Sequence, residues 1–407
     1  MTTPDDLAGF RRRCADWFAS SGRAPHSVPN RSREPGDYVA TARANQRALH
    51  DAGLAGITWP VEYGGLGLGP EFRRVFDEEA AGFETFSDVF TIGLGMCGPV
   101  LLGLGTEEQR RRYLPPMLRA DEVWCQLFSE PGAGSDLASL ATAATADGDG
   151  WVANGQKVWT TYAHHSDLGL LLARTDPELP KHRGITMFVA DMAAPGVTTR
   201  PLRQATGDAE FNEVFLDDVR LGPGDVVGTV GGGWRAATLM LANERVALSD
   251  NPIGSPVTLE AVVELARRHG RADDPVVRRA VGEAYVAQRQ VDLFAQRIAA
   301  ELRVGNDPGS LASVGKLAAG HAAKQLAALA LEIAGPDAVA WDAGDPDGGL
   351  WAYGELYAPS LSIAGGTEQI QRTILGERVL GLPREPQADK DVPFRALRRS
   401  SPEAPLR

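Results

Sequence analysis

At 407 residues, 43% hydrophobic and 23% charged, the chain has a globular composition with room for two or three domains and their cores. A formal net charge of −12 argues against nucleic acid as a main partner, because phosphate binding wants a basic surface. No stretch reads as the run of about 18 apolar residues that crosses a bilayer, and the polar start MTTPDDLAGFRRRC lacks a secretory h-region.

Cys14, Cys97 and Cys125 lie far apart, with neither metal spacing nor a disulfide framework. No His/Asp/Cys cluster has metal-ligand spacing. A reducing, cytoplasmic setting with no membrane partner is the economical expectation.

Residues 1–120 read as a helical domain. Leu7, Phe10, Cys14, Trp17 and Phe18 recur at helical spacing, and so does the stretch from Tyr38 to Leu54. APHSVPNRSREPG between them reads as an irregular connector, and GITWPVEYGGLGLGP as a Gly/Pro loop before the helix EFRRVFDEEAAGFE. TEEQRRRYLPPMLRA opens on a Thr106–Gln109 capping box and is expected to stop at Pro115 and Pro116.

From 121 to 228 the chain turns to short β-type runs: VWCQLFSE, ATAATADGDGWVANGQKVWTTYA, LGLLLART, GITMFVADM, GVTTRPL and NEVFLDDVRL. Their close, even spacing predicts a compact β-barrel or sandwich. GPGDVVGTVGGGW then hands over to a helical domain at 229–385, with Asp274-Pro275 as one helix start. The polar, Pro-rich 386–407 reads as a surface-lying or partly disordered tail. The order is therefore helices, then a β-barrel or sandwich, then helices, a mainly α fold class with a central β domain.

The glycine-rich stretches GGLGLGP and GTVGGGW lack the strand–turn–helix context of a dinucleotide fold. FSEPGAGSDLA is more informative: Gly132 and Gly134 with Ser129 and Ser135 give a bare, donor-rich turn, although a plain hairpin turn reads the same way. NGQKVWTT places Trp159 beside Thr160 and Thr161, which suits a flat heterocycle that stacks on one face and hydrogen-bonds at its edge. Taken alone, Trp159 reads more readily as a core residue. His164 and His165 have no acid or thiol beside them in sequence and read as loop residues, while His321 reads as a satisfied residue between helices.

In the order GITWPVEYGGLGLGP, SEPGAGSD, NGQKVWTT and IAGGTEQIQRTILGERVLGLP, these motifs resemble the acyl-CoA dehydrogenase family over residues 7–395. ANERVAL and VLGLPREPQADKDVPF are most similar to its actinobacterial members, some of which act on bulky thioesters such as sterol side chains. The resemblance implies a helical N-terminal domain, a middle β-barrel and a C-terminal four-helix bundle. It also implies FAD-dependent α,β-dehydrogenation of an acyl-CoA, electron transfer to an electron-transfer flavoprotein or similar acceptor, and a homo- or hetero-oligomer, dimer or tetramer.

By the same resemblance Gln126, Phe128, Ser129, Gly134 and Ser135 form a first flavin segment, and Trp159, Thr160 and Thr161 a second. Thr367, Glu368 and Gln369 form a third, and Gly335 meets the adenine end in a partner subunit. Ser135, Arg245 and Gly366 are implied on the substrate side. The family's Arg-x-x-Phe-Gly sequence is replaced by LARRHGR, so no pyrophosphate role passes to Arg267 or Arg268.

The reaction needs a carboxylate lifted by burial to remove the α-proton, while the β-hydrogen leaves as hydride to flavin N5. One family branch places that glutamate directly before the Gly-Thr of the last helix, where this chain has Gly365. The other branch places it on the first helix of the C-terminal domain, where WRAATLMLANERVALS carries Glu244, the only acid between Asp225 and Asp250. From the residues alone, Glu244 either anchors an apolar helix or acts as base; the resemblance favours the base. Two other readings stay open at this stage: a flavin-dependent tailoring enzyme (a monooxygenase, or a dehydrogenase on a carrier-protein thioester), and a non-catalytic partner subunit of a heteromeric dehydrogenase.

Overall fold

The computed structural model describes residues 6–21, 35–250, 257–304, 309–342, 347, 349–386 and 389–397. It comprises two compact units. Met1–Leu202, Ala209–Asn243 and Gln387–Arg407 form the first; Arg203–Asp208 and Glu244–Pro386 form the second.

The first unit opens with helices α1 (Leu7–Ser20), α2 (Pro35–Asp51), α3 (Pro70–Ala80), α4 (Gly98–Leu104) and α5 (Glu107–Leu118). Asp6 caps α1 by accepting from Gly9 N at 2.6 Å. Phe10, Cys14 and Phe18, spaced by four residues, then point into one core with Leu49, Ile57, Val75 and Phe76. Most of the connector between α1 and α2 lies outside the described residues.

Two expectations fail here. The capping box forms, with Thr106 and Gln109 bonding reciprocally, but α5 runs on through Pro115 and Pro116 to Leu118. The prolines remove donors that would have met the carbonyls of Arg111 and Arg112, both exposed residues whose carbonyls water can satisfy. In addition, Ser87–Leu104 does reach 18 residues at a mean hydropathy of 1.5, interrupted by glycines that hid it in the sequence; half of it is buried inside the structure.

The middle of the chain forms β1 (Trp124–Leu127), β2 (Ala143–Asp147), β3 (Gly150–Thr161), β4 (Leu168–Arg174), β5 (Ile185–Asp191), β6 (Val197–Pro201), β7 (Phe211–Leu221) and β8 (Val226–Val227). The order is β6-β7-β3-β2-β4-β5-β8, with β1 beside β4. This sheet is open, which corrects the expected barrel. Its two ends do not pair: β6 ends in Pro201, which has no donor, and β8 has only 2 residues. The ladder also narrows in the middle, where β2 and β4 meet only at Ala143 and Arg174.

The C-terminal tail returns to this unit. Phe394 is buried under the Arg174 guanidinium, 3.6 Å from its ring centre, and donates its N–H to Leu179 O at 3.0 Å. Residues 398–407 lie outside the described residues.

The unit boundary falls within α6 (Gly233–Asp250). The second unit continues with α7 (Leu259–Arg268), α8 (Pro275–Arg303), α9 (Ala312–Ala334), α10 (Leu350–Tyr357) and α11 (Glu368–Ile374). Asp274 starts α8 by accepting from Val276 N at 2.9 Å. The apolar α9 is the centre of this unit, touched by α7, α8, α10 and α11. Leu326, Ala330 and Ile333 from α9 share a core with Val262, Leu265, Val277 and Trp351.

Candidate active site

The first unit brings two of the three expected flavin segments together. Phe128 and Ser129 leave the end of β1, and both backbone carbonyls are tied to β3. Lys157 Nζ donates to Phe128 O at 3.0 Å, and Val158 N donates to Ser129 O at 2.9 Å. Gln126 sits on β1 opposite Leu170, while Gly134 and Ser135 are exposed at the turn. Added Cβ atoms at Gly132 and Gly134 would meet nothing, so the turn presents open backbone.

An ion pair that the sequence motifs did not signal fixes this junction. Lys157 is fully buried and meets Glu130 Oε1 at 2.8 Å. Glu130 also accepts from Ala141 N at 2.6 Å and Thr142 N at 2.9 Å. Burial opposes its charge, yet the Lys157 ammonium and these hydrogen bonds hold its carboxyl below the usual range. Burial pulls the Lys157 amine down from its ordinary value, against the pull of Glu130. No local pattern marks it: Lys157 lies between Gln156 and Val158, and Glu130 is 27 residues away.

After Lys157, β3 makes a one-residue bulge against β7, with Lys157 opposite Val214 and Thr160 opposite Asn212. Trp159 sits in the bulge at φ 61°, and its side chain is 60% exposed. That exposure excludes the core reading. Thr160 is buried with its hydroxyl oxygen unpartnered among the described residues, and Thr161 is half-buried beside it. The exposed ring and the bare glycine backbone of this unit would suit a flat heterocycle that stacks and hydrogen-bonds at its edge. His164 and His165 follow in a short turn with rings 4.0 Å apart, and burial pushes both below their ordinary pKa.

The second unit holds the other expected residues. Glu244 on α6 is 9% exposed. The side chain of Arg245 lies outside the described residues. Gly335 ends α9 at φ 59°. Thr367 caps α11, its hydroxyl accepting from Ile370 N at 3.3 Å, and Gln369 is exposed on the first turn.

Glu368 is heavily engaged, accepting from Lys324 Nζ at 2.6 Å and Ser362 Oγ at 2.6 Å, with Arg372 at 3.4 Å. The Lys324 and Ser362 bonds hold its carboxyl at about 2. His321 is exposed and faces Glu368 at 3.8 Å instead of filling the core.

The glycine turn before α11 is the second feature the sequence did not resolve. Gly365 and Gly366 have φ 67° and 93°, in the left-handed region. Gln371 Nε2 donates to Gly365 O at 2.9 Å, and Lys316 Nζ donates to Gly366 O. Elsewhere in this unit Arg268 is bound by Asp347 at 2.7 Å and Arg267 lies 3.4 Å from Glu264, so each arginine already has a carboxylate partner.

Helices, open sheet and helices in this order, with a bare glycine turn and an exposed Trp-Thr-Thr bulge, are consistent with a flavin-type dehydrogenase. Family models for the N-terminal, middle and C-terminal domains of acyl-CoA dehydrogenase match residues 12–121, 125–219 and 231–380. The chain is 40% identical over 384 residues to acyl-CoA dehydrogenase IpdE1 of Mycobacterium tuberculosis, covering 93% of this chain and 99% of that one. Its fold is similar to the Tcur3481-Tcur3483 steroid ACAD, with a TM-score of 0.81 and 29% identity over 94% of this chain and 99% of the other. It is also similar to the ChsE4-ChsE5 complex of Mycobacterium tuberculosis, with a TM-score of 0.76 and 28% identity over 95% and 99% of the two chains. The chain belongs to the acyl-CoA dehydrogenase family. It is a flavin-dependent oxidoreductase of CH–CH groups whose substrate is an acyl-CoA.

Proposed function

We propose that the flavin is FAD and that Glu244 is the base of the dehydrogenation. The observation carrying this reading is the pairing of a buried carboxyl at Glu244 with glycine at 365, the position where the other branch of the family keeps its glutamate. Gln126, Phe128, Ser129, Gly134, Ser135, Trp159, Thr160 and Thr161 would hold FAD from the first unit. Thr367 and Gln369 would contribute from the second, where Glu368 braces the helix start through its ion pairs. Gly335 would serve the adenine end in a partner subunit.

FAD, when bound, supplies the hydride acceptor for the β-hydrogen. Glu244 takes the α-proton, and its burial keeps water from competing for the forming carbanion. Ser135, Arg245 and Gly366 would contact the thioester and the CoA. Electrons would leave to an electron-transfer flavoprotein or similar acceptor.

The absence of side chains at Gly365 and Gly366 favours a bulky acyl group, and the similarity to a steroid dehydrogenase supports the same class. A second acyl-CoA dehydrogenase chain is the expected partner, as two of the similar structures are named for two chains. Val286 and Leu293, seven residues apart on α8, are each 53% exposed and offer an apolar stripe for it.

Glu244→Gln tests the base assignment. The variant should keep bound yellow FAD and lose about 10²–10⁴-fold in the rate of anaerobic flavin reduction by an acyl-CoA. Reduction at the native rate would reject Glu244 as the base. A panel of short, branched and steroid-side-chain thioesters then sorts the acyl class.

A further inference from the structure

Residues 389–397 return to the first unit along the loop that follows β4. Phe394 N donates to Leu179 O at 3.0 Å, and Arg395 N donates to Pro177 O at 3.1 Å. Pro393 pairs with Pro180 in an antiparallel bridge, and the Arg395 guanidinium meets Glu178 at 2.8 Å. The dehydrogenation described above gives this segment no role.

Two basic side chains carry the contact inward, to the far end of the SEPGAGSDLA loop. Lys181 Nζ lies between two carboxylates, 2.9 Å from Asp136 Oδ2 and 3.2 Å from Asp389 Oδ2 of the tail. Arg174, buried at the end of β4, donates to Ala138 O at 2.7 Å and Leu140 O at 3.1 Å. The tail covers that guanidinium with the Phe394 ring, 3.6 Å away.

The loop therefore has a fixed end on either side of bare backbone. The Glu130–Lys157 pair holds its start, and Lys181 and Arg174 hold residues 136–140. Between them Gly132, Gly134 and Ser135 are exposed, and Asp136 directly follows Ser135. Only 15% of the Lys181 side chain is exposed, so this cation is held by packing and by two carboxylates, unlike a loose surface pair. Burial opposes both charges, yet Ser139 and Lys181 bring the Asp136 carboxyl below its ordinary value. Asp136 and Asp389 bring the Lys181 amine above its own, again against burial.

We propose that residues 389–396 are a strap that positions the turn at residues 132–135 for FAD and the thioester, and that Lys181 is the positioning residue through which Asp389 of the strap acts. The inference rests on the proposed role of Gly134 and Ser135 at the cofactor and substrate. A glycine-rich turn loses conformational freedom when it binds a ligand, and ends fixed beforehand reduce that loss. The strap should therefore appear in affinity and KM, with the chemical step left alone.

The test uses the full-length chain, with FAD affinity read from fluorescence as the apoprotein is reconstituted. Lys181→Met should raise the FAD dissociation constant about tenfold. Asp389→Asn, at a site 42% exposed where the fold tolerates change, should raise it about threefold. Lys181→Arg, which can still bridge two carboxylates, should stay within about twofold of native. In the loaded enzymes KM for the acyl-CoA should rise in Lys181→Met and Asp389→Asn, while kcat changes by less than about twofold. Amide exchange of residues 132–140 in the apoprotein should quicken in both, a reading free of flavin.

Asp389→Asn should add nothing in the Lys181→Met background, because the strap acts through Lys181. Full additivity would overturn the proposal, as would native FAD affinity in both single variants, or a loss confined to kcat. Gly134→Leu and Ser135→Leu separate the strap from the reading beneath it. If both bind FAD and acyl-CoA at native affinity, the turn is not at the site and the strap falls with that reading. If either weakens binding while Asp389→Asn and Lys181→Met do not, only the strap falls.

Discussion

Lys157 and Lys316 each donate to a backbone carbonyl beside a glycine-rich loop, but the two regions are wired differently. Glu130 spends its oxygens on Lys157, Ala141 N and Thr142 N, and Lys157 spends a second bond on Phe128 O. This is a closed joint between a loop and a strand. Lys316 gives its bond to the backbone of the glycine turn at Gly366 O, while the carboxylate beside that turn, Glu368, is bound by Lys324 instead. A closed pair ties a side chain to a side chain; the second lysine ties a helix to a backbone turn.

The largest effect expected in the first unit comes from opening the closed joint. Lys157→Met leaves Glu130 buried without its cation and should cost about 3–5 kcal/mol of unfolding free energy in urea. Adding Glu130→Leu should recover little, because Ala141 N and Thr142 N would then lose their acceptor. A loss below about 1 kcal/mol would place the joint with surface ion pairs and remove the contrast.

Glu368 is an intermediate case, engaged like Glu130 but beside the glycine turn that Lys316 grips. Its carboxyl falls from an ordinary 4.5 to about 2, chiefly through the Lys324 bond. A folded-state value below the unfolded one stabilises the protein above pH 4.5, and that contribution is lost as pH falls toward 2. Across this window the native protein should lose stability more steeply than Glu368→Gln, by about 1 kcal/mol per pH unit in acid-unfolding series. Equal slopes would mean that these contacts do not outlast thermal motion.

Much of this architecture was legible because it is periodic. The strands announced themselves through β-branched runs between Gly and Asp turns, and β3 ends at the Trp-Thr-Thr that the motif singled out. Elements without a period escaped notice. β8 has 2 residues, α10 has 8 with a glycine inside, and sheet closure depends on edges that no local pattern encodes. The buried anchor Phe394 looked like part of a polar tail because its partner, Arg174, lies over two hundred residues away. Glu244 stood out as a lone acid in an apolar helix, whereas the bond from Lys316 appears only when α9 and the turn before α11 meet.

The two glycine-rich loops carry the contrast to its smallest scale. In SEPGAGSD, Gly132 has open space where a Cβ would go and does not occupy the left-handed region. Gly132→Ala should therefore change stability by no more than about 0.5 kcal/mol. Gly366 combines φ 93° with a Cβ position 2.6 Å from Gln371 Nε2. Gly366→Ala should cost about 1–2 kcal/mol, since a left-handed backbone penalises any Cβ and the displaced amide would lose its grip on Gly365 O. Equal costs in thermal denaturation would show that the turn before α11 yields as freely as the loop, leaving Lys316 nothing rigid to hold. Unequal costs in the expected order would show the first loop shaped by access and the second by constraint.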